Sequence, residues 1–137
     1  MTKFYSRTFH LPPLSAKIYA YLTFDFKKEG VTFDDLVDNL GASKSSISTN
    51  LNLLLANRIV VDVNKMDDRK RYFMINKDFV KIRFTEIANR LEEELQILKS
   101  LDQYREEQNY SKEVSNQIYQ DLLRKNIDNI KETLTQL

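Results

Sequence analysis

Residues 32–75 read TFDDLVDNLGASKSSISTNLNLLLANRIVVDVNKMDDRKRYFMI, and this stretch decides the fold. Two short amphipathic segments meet at Leu40-Gly41-Ala42, and two strand-like segments separated by a charged loop follow directly. That order is typical of a winged helix-turn-helix, whose second helix commonly lies in the DNA major groove. The sequence therefore predicts a mainly α fold that carries a two-stranded β-wing.

Local signals place both helices of this motif. Thr32 and Ser43 belong to the residue types that commonly cap helix N-termini, and the glycine between the helices permits a sharp turn. The apolar positions of the second helix recur at helical spacing and define its buried face: Ile47, Leu51 and Leu54. We therefore expect the second helix to begin after Ser43 and to end near Asn57.

The side of the second helix opposite to Ile47 carries short polar side chains without negative charge. At 100° per residue these are Ser45, Ser48, Thr49 and Asn52. Asparagine pairs with adenine, and serine or threonine bonds bases or phosphates. Ser43 and Lys44, at the amino end, are placed to meet a phosphate. This pattern favours a DNA-contacting face over a plain solvated one, which usually carries more Glu, Lys or Arg.

The loop between the two strand-like segments is rich in cations that a wing can place on DNA. They are Lys65, Arg69, Lys70 and Arg71. Asp67 and Asp68 lie among them, and we expect one of these carboxylates to pair with a nearby arginine and so stabilise the wing. An ordinary charged turn is the alternative interpretation.

The flanking segments are mostly helical by pattern. Residues 1–13 have no clear period and are expected to be irregular, whereas Leu14 to Gly30 predicts a helix with the glycine as left-handed cap. Asn76 to Leu101 predicts a long helix. Residues 102–110 are polar, and form either a break or a solvated helical stretch. A last helix is expected to be capped by Ser111.

The two ends of the chain differ in charge. Residues 1–83 hold 14 Lys and Arg against 9 Asp and Glu, a net charge of +5, whereas residues 84–137 hold 7 against 11, a net charge of −4. This asymmetry is expected when one end faces phosphate. From the order of the predicted elements we divide the chain into a winged helix-turn-helix DNA-binding region with its N-terminal helix, 1–78, and a helical dimerisation region, 79–137.

The last two predicted helices carry apolar stripes that one small winged helix cannot cover alone. The stripe of the first consists of Phe84, Ile87, Leu91, Leu98 and Leu101, and that of the second consists of Val114, Ile118, Leu122, Ile127, Ile130, Leu134 and Leu137. Packing between two subunits explains such a stripe, and packing within one chain into a small helical core is the alternative.

Composition argues against several other classes of protein. Cysteine is absent, which excludes disulfides and cysteine-based zinc sites, and no apolar run approaches the roughly 20 residues of a membrane span. The single histidine, His10, has no cysteine partner, and the acidic runs Glu92-Glu93-Glu94 and Glu106-Glu107 are typical of solvated faces. No phosphate-binding glycine loop occurs. We expect a cytoplasmic protein that is not an enzyme and needs no cofactor or metal.

Three stretches resemble MarR-type winged-helix regulators, particularly the GbsR branch: Pro12 to Leu22, Leu40 to Leu51, and Asp68 to Tyr72 followed by Lys77-Asp78-Phe79. The resemblance implies a homodimeric transcriptional regulator, commonly a repressor, that binds a palindromic operator in double-stranded DNA. It also implies that some members respond to a small-molecule effector. By position, residues 43–52 correspond to the recognition helix and residues 68–70 to the wing.

Two departures from the family pattern affect the expected DNA contacts. Asn52 stands where many relatives carry arginine, and Arg58 stands where they carry glycine. We therefore do not carry over the operator sequence or the exit turn of the helix from the family. A protein-interaction adaptor, which would use the same winged helix without touching DNA, is the alternative function.

Overall fold

The computed structural model describes residues 1–137 and contains six helices and three strands. In chain order these are α1 Thr2–Thr8, α2 Pro13–Leu22, β1 Val31–Thr32, α3 Phe33–Leu40, α4 Lys44–Ala56, β2 Val60–Asn64, β3 Arg71–Ile75, α5 Phe79–Glu107 and α6 Val114–Leu134. Two compact units divide the chain, Met1–Phe79 and Val80–Leu137. None of the helices is both long and apolar enough to cross a membrane.

The first unit is a winged helix-turn-helix, which confirms the predicted fold class. Its wing differs in one respect, because the antiparallel sheet has three strands in the order β1-β3-β2 instead of two strands. The additional strand pairs Val31 with Phe73 and Thr32 with Tyr72. Two residues are too few to show the alternation by which a strand is recognised, so β1 is not predictable from the sequence pattern.

The core of the first unit joins the three central helices to the sheet. The most deeply buried aliphatic side chains are Ile18 on α2, Leu36 on α3, Ile47 and Leu54 on α4, and Val60 on β2. Burying an aliphatic side chain of this size contributes about 1.5–3 kcal/mol. The core therefore fixes α4 against α2, α3 and β2 by its apolar face.

The expectation of an irregular N-terminal segment is wrong, because residues 2–8 form helix α1. Tyr5 and Phe9 stand four residues apart and pack their rings on Tyr19 and Phe79. The ring centroids lie 4.6 Å apart for Tyr5 and Tyr19 and 5.2 Å apart for Phe9 and Phe79. A helix of seven residues is not stable alone, so these tertiary contacts stabilise it.

Helix α2 ends at Leu22 instead of continuing to Gly30. The Asp25 carboxylate accepts hydrogen bonds from the backbone N–H groups of Glu29 at 3.1 Å and Gly30 at 2.8 Å. These bonds favour a tight loop over further helix, because aspartate competes with helical backbone bonding. Gly30 does take a positive φ of 82°, but it does so at the end of this loop, before β1.

The helix-turn-helix itself confirms the predicted caps. The Thr32 hydroxyl accepts from the Asp35 N–H and the Asp35 carboxylate accepts from the Thr32 N–H, which is a reciprocal capping box. Gly41 takes the left-handed conformation with a φ of 63°. Ser43 caps α4, and Asn57 follows its last turn.

The second unit consists of α5 and α6. Residues 102–107 continue α5, which therefore runs beyond the predicted Leu101, and α6 begins at Val114 after the N-cap residue Glu113. The expectation that Ser111 caps this helix is wrong. No side-chain hydrogen bond caps the N-terminus of α6.

A buried carboxylate joins α5 to α6. Asp102 is 8% exposed and accepts hydrogen bonds from the side-chain amides of Asn116 at 2.6 Å, Gln117 at 2.7 Å and Gln120 at 2.5 Å. Burial by itself raises the pKa of Asp102, but these donors outweigh it, so the pKa lies below its ordinary value. The carboxylate is thus kept charged and bound.

The apolar residues of this unit differ in how far they are buried. Leu95, Leu123 and Ile127 form a small buried cluster within the chain, so part of the predicted stripe packs internally. Leu91 and Leu98 are partly buried against this cluster. Other large apolar side chains are exposed, among them Ile97, Leu101, Val114, Ile118 and Leu122. Since 114, 118 and 122 follow one another at four-residue spacing, they form a face of α6 distinct from the one that packs on α5.

Replacing each of the two glycines of positive φ by alanine should lower the free energy of unfolding by a different amount. At Gly41 nothing lies within 4 Å of an added Cβ, so Gly41→Ala should lose about 1 kcal/mol of unfolding free energy through backbone strain alone. At Gly30 the added Cβ would lie 2.8 Å from the Cβ of Tyr72, so Gly30→Ala should lose about 2–4 kcal/mol. Urea unfolding at 25 °C measures both losses, and equal losses would contradict this account.

Candidate nucleic-acid interface

The outward face of α4 follows from the way its inward face is buried. Ile47, Leu51 and Leu54 enter the core of the first unit, and the residues on the other side of the helix are all exposed. These exposed residues are the ones that the sequence singled out: Ser45, Ser48, Thr49 and Asn52. No acidic residue occurs between Ser43 and Ala56, so nothing on this helix repels phosphate.

The amino end of α4 is partly occupied by its own cap. The Ser43 hydroxyl accepts from the Ser46 N–H at 3.2 Å and lies 3.3 Å from the Ser45 hydroxyl. The N–H groups of Lys44 and Ser45 precede the first intrahelical bond, and the Lys44 side chain is exposed beside them. A helix N-terminus with free N–H groups and an adjacent cation is suited to a phosphate.

The polar side chains on this face differ in the number of hydrogen-bond donors and acceptors that remain free. The Thr49 hydroxyl donates to the Ser45 carbonyl at 3.0 Å, which leaves its methyl group and oxygen lone pairs for an outside partner. The Asn52 amide is exposed and makes no side-chain hydrogen bond within the chain. Asn52 therefore retains both the donor and the acceptor that a bidentate contact to adenine requires.

Asp68 organises the loop between β2 and β3, although not by the expected arginine pair. Its carboxylate accepts from the Tyr72 hydroxyl at 2.6 Å and from the Lys70 N–H at 2.9 Å. Asp67 takes a left-handed conformation with a φ of 66° and so makes the turn. The expected pairing of Asp67 or Asp68 with an arginine is wrong, because the Tyr72 hydroxyl occupies the Asp68 carboxylate.

Arg71 has its own partner on the neighbouring strand. Its Nη2 lies 3.0 Å from Asp62 Oδ2, its Nε donates to the same oxygen at 3.1 Å, and its guanidinium lies 5.1 Å from the centroid of the Phe73 ring. Asp62 faces Phe73 across the β2–β3 ladder, so Arg71 and Asp62 share one face of the sheet as diagonal neighbours. Arg71 is therefore held on the sheet.

Of the remaining three cations of the loop, one contacts another side chain of the chain and two do not. Lys65 Nζ lies 4.0 Å from the centroid of the Tyr72 ring, in a cation–π contact. Arg69 and Lys70 are exposed, and their side chains make no hydrogen bond or ion pair within the chain. Two projecting cations on a loop that is fixed at its base are suited to contact a phosphate backbone or a minor groove.

Sequence analysis missed Asp62 and Tyr72, which hold the base of the loop. From the sequence, Tyr72 stands out only as the last residue of a stretch that resembles the family, and Asp62 does not stand out at all. The available signal was the strand register, because Val63 pairs with Tyr72 and Asn64 with Arg71. That register depends on the length of the loop, which the sequence did not specify.

The structure brings no three His, Cys, Asp or Glu side chains together in an arrangement that could hold a metal ion. The candidate interface consists of amides, hydroxyls and cations, which are able to form hydrogen bonds and charge contacts.

No protein-family model and no curated protein matches the chain. Among solved structures, a crystal structure of a transcriptional regulator superimposes with a TM-score of 0.56 at 20% sequence identity, covering 96% of this chain and 89% of that one. A crystal structure of a complex of S. aureus MepR with DNA superimposes with a TM-score of 0.50 at 18% identity, covering 77% of this chain and 86% of that one. The chain thus shares the winged-helix fold of these proteins.

The Tyr72 hydroxyl is the main cause of a lowered pKa of Asp68, with the Lys70 N–H second. Because the folded pKa lies below the unfolded one, the contribution of Asp68 is present above about pH 4 and is lost as the pH falls through the folded value. Tyr72→Phe should raise the pKa of Asp68 towards its ordinary value, measured by NMR titration of the side-chain carboxyl. The neighbouring Asp67 serves as an internal control, and an unchanged Asp68 titration would refute the assigned bond.

Proposed function

We propose that this chain is a DNA-binding transcriptional regulator of the MarR type, within the GbsR branch. The observation that carries the proposal is the exposed face of α4, which presents free amides and hydroxyls without a negative charge. The wing of the same unit adds the free cations Arg69 and Lys70. The shared fold with MepR, whose crystal structure is a complex with DNA, supports the same use of the helix here.

In the proposed complex, α4 lies in the major groove. Asn52 reads a base edge, Ser45 and Ser48 bond bases or phosphates, and the methyl group of Thr49 contacts a thymine. Lys44 and the free N–H groups beside it anchor a phosphate. These contacts divide into those that specify sequence and those that only position the protein.

The wing extends the proposed contact beyond the major groove. Arg69 and Lys70 meet the DNA backbone or the adjacent minor groove. Lys65 and Arg71 add positive charge while they keep the loop in place through Tyr72 and Asp62. Neutralising phosphates in this way makes the affinity strongly dependent on salt.

We further propose that the regulator is a homodimer, associated through the exposed apolar faces of α5 and α6. Ile97 is 61% exposed, Ile118 65% and Leu122 57%, and a face of this kind is stabilised when a second subunit covers it. Two recognition helices then meet half-sites about 34 Å apart, which requires a palindromic operator. Occupying such an operator blocks transcription, so the expected role is that of a repressor.

A small-molecule effector would act on this dimer by shifting the spacing of the two recognition helices. It needs a different affinity for the DNA-competent and incompetent arrangements, since only that difference moves the equilibrium.

Selection of bound duplexes from a random pool at two salt concentrations tests the DNA-binding proposal. The wild-type protein should enrich a palindrome. Asn52→Ala should lose about 1–3 kcal/mol of discrimination at one base position, because it removes a base contact. Lys70→Ala should weaken all sequences alike and lower the salt slope by about 1. Lys77, exposed beyond the opposite end of β3, is the matched control, and Lys77→Ala should change neither quantity.

Two outcomes of this experiment would contradict the proposal. Equal effects of Asn52→Ala and Lys70→Ala on every duplex would refute their separate roles. Absence of duplex binding by folded wild-type protein would overturn DNA recognition altogether, and would favour the protein-interaction adaptor.

The dimer is tested by placing a charge on the exposed face of α5. Ile97→Asp should convert the dimer to a monomer, measured by light scattering coupled to size-exclusion chromatography, because a charge in an apolar contact must be desolvated. Gln96→Asp is the matched control, since Gln96 is exposed and lies about 100° around the same helix. A monomeric wild-type protein, or dimers of equal strength in both variants, would disprove the assigned contact.

A further inference from the structure

Helix α2 contains one polar side chain that is entirely buried. Ser15 is 0% exposed, and its hydroxyl donates to Asn50 on α4, whose side-chain Oδ1 lies at 2.9 Å and whose carbonyl oxygen lies at 3.2 Å. The Asn50 amide in turn donates to the Ser46 carbonyl at 2.8 Å, which fixes the Asn50 side chain against its own helix. Ser15 is thus bonded to α4 through a side chain that cannot easily reorient.

Because of the position of Asn50, this bond affects the orientation of the outward face of α4. At 100° per residue, Asn50 lies about 60° around the helix from Ile47, at the edge between buried and exposed surfaces. Ile47, Leu51 and Leu54 hold the helix by apolar contact, which stabilises it without strong directionality. A hydrogen bond, by contrast, is restricted in both length and angle.

The geometry of a helix makes a small roll important at this interface. Side chains end about 5–6 Å from the helix axis, so a roll of about 10° moves them by about 1 Å. Hydrogen bonds to base edges tolerate only a few tenths of an ångström around their preferred length. An interaction that fixes the rotation of α4 about its own axis therefore determines which base atoms Asn52 and Thr49 can reach.

A second bond from α2 fixes the other helix of the motif. Lys17 Nζ donates to the Leu40 carbonyl at the end of α3, at 3.1 Å. A cation at the C-terminus of a helix is also favoured by the helix dipole. Helix α2 thereby holds α3 by its end and α4 by its side, and only the bond to α4 bears directly on the exposed face.

We infer that Ser15 and Asn50 form a positioning pair that determines the sequence specificity of α4 without touching DNA. The inference rests on the proposed DNA-binding function and assigns a specificity-determining role to a residue buried outside the interface. The pair sets the rotation of the recognition helix about its own axis. Loss of the bond therefore lowers discrimination between base pairs more than it lowers affinity for the DNA backbone.

The test compares binding of the enriched duplex with binding of duplexes carrying a single mismatch. Ser15→Ala should lower discrimination between them by about 3- to 10-fold, out of the 5- to 150-fold that one mismatched pair usually causes. Its salt slope should remain that of the wild type, because no phosphate contact is removed. Ile18→Val is the matched control, since Ile18 is also 0% exposed on α2 and its truncation removes packing without removing a polar bond.

A variant at the other end of the bond keeps the test decisive if Ser15→Ala fails to fold. Asn50 is only half-buried, and Asn50→Ala should lower discrimination to a similar extent. If the pair acts as a unit, the double variant should lose no more discrimination than the larger of the two single variants.

The possible outcomes separate this inference from the proposed function. Unchanged discrimination in both single variants, with the wild type binding its duplex, overturns the positioning role alone. An equal loss of discrimination in Ile18→Val also overturns it, because packing would then account for the effect. Failure of the wild type to bind any duplex overturns the DNA-binding function, and the positioning role with it.

Discussion

The first unit depends on one helix having two opposed faces. Helix α4 buries Ile47, Leu51 and Leu54, and every residue on its other side is thereby turned outward. Apolar burial is the main favourable contribution to the folding free energy, and the side chains of Ser45, Ser48, Thr49 and Asn52 remain in solvent. The neighbouring elements each constrain this helix, since α3 precedes it through a left-handed glycine and β2 follows it after Asn57.

The wing applies the same separation to charged side chains. Arg71 and Lys65 are engaged by Asp62 and by the Tyr72 ring, and neither contact is buried. An exposed ion pair of this kind contributes only about 0–1 kcal/mol to stability. Its larger effect is on conformation, because it restricts the loop from which the unpaired cations project. Arg69 and Lys70 take part in none of these contacts, so these two exposed cations add nothing to the stability of the loop.

The sequence predicted the helix-turn-helix well because several local signals agreed there. Thr32, Gly41 and Ser43 act on the backbone next to them, and the buried stripe of α4 has a clear period. Recognition of the outward face followed from the same period. Local agreement of this kind is what makes a segment predictable.

The segments that were predicted wrongly depend on distant residues. Helix α1 forms because its rings reach Tyr19 and Phe79, and β1 forms because β3 offers it a partner. The loop after α2 is fixed by one aspartate that the helical pattern could not reveal. Likewise, Asp68 was recognised as structural, but its partner depended on strand register. In each case the conformation depends on a tertiary contact, which local helix or strand propensity does not reveal.

The carboxylate of Asp102 has a consequence for the helical hairpin that contains it. Sliding α6 along α5 by one turn, about 5.4 Å, would leave a charge buried without its amide donors. Leucine and isoleucine contacts alone would tolerate such a slip, whereas this network penalises it. The network therefore favours a single register of α6 along α5. Substitutions on the outer apolar surface of the hairpin leave this register unchanged.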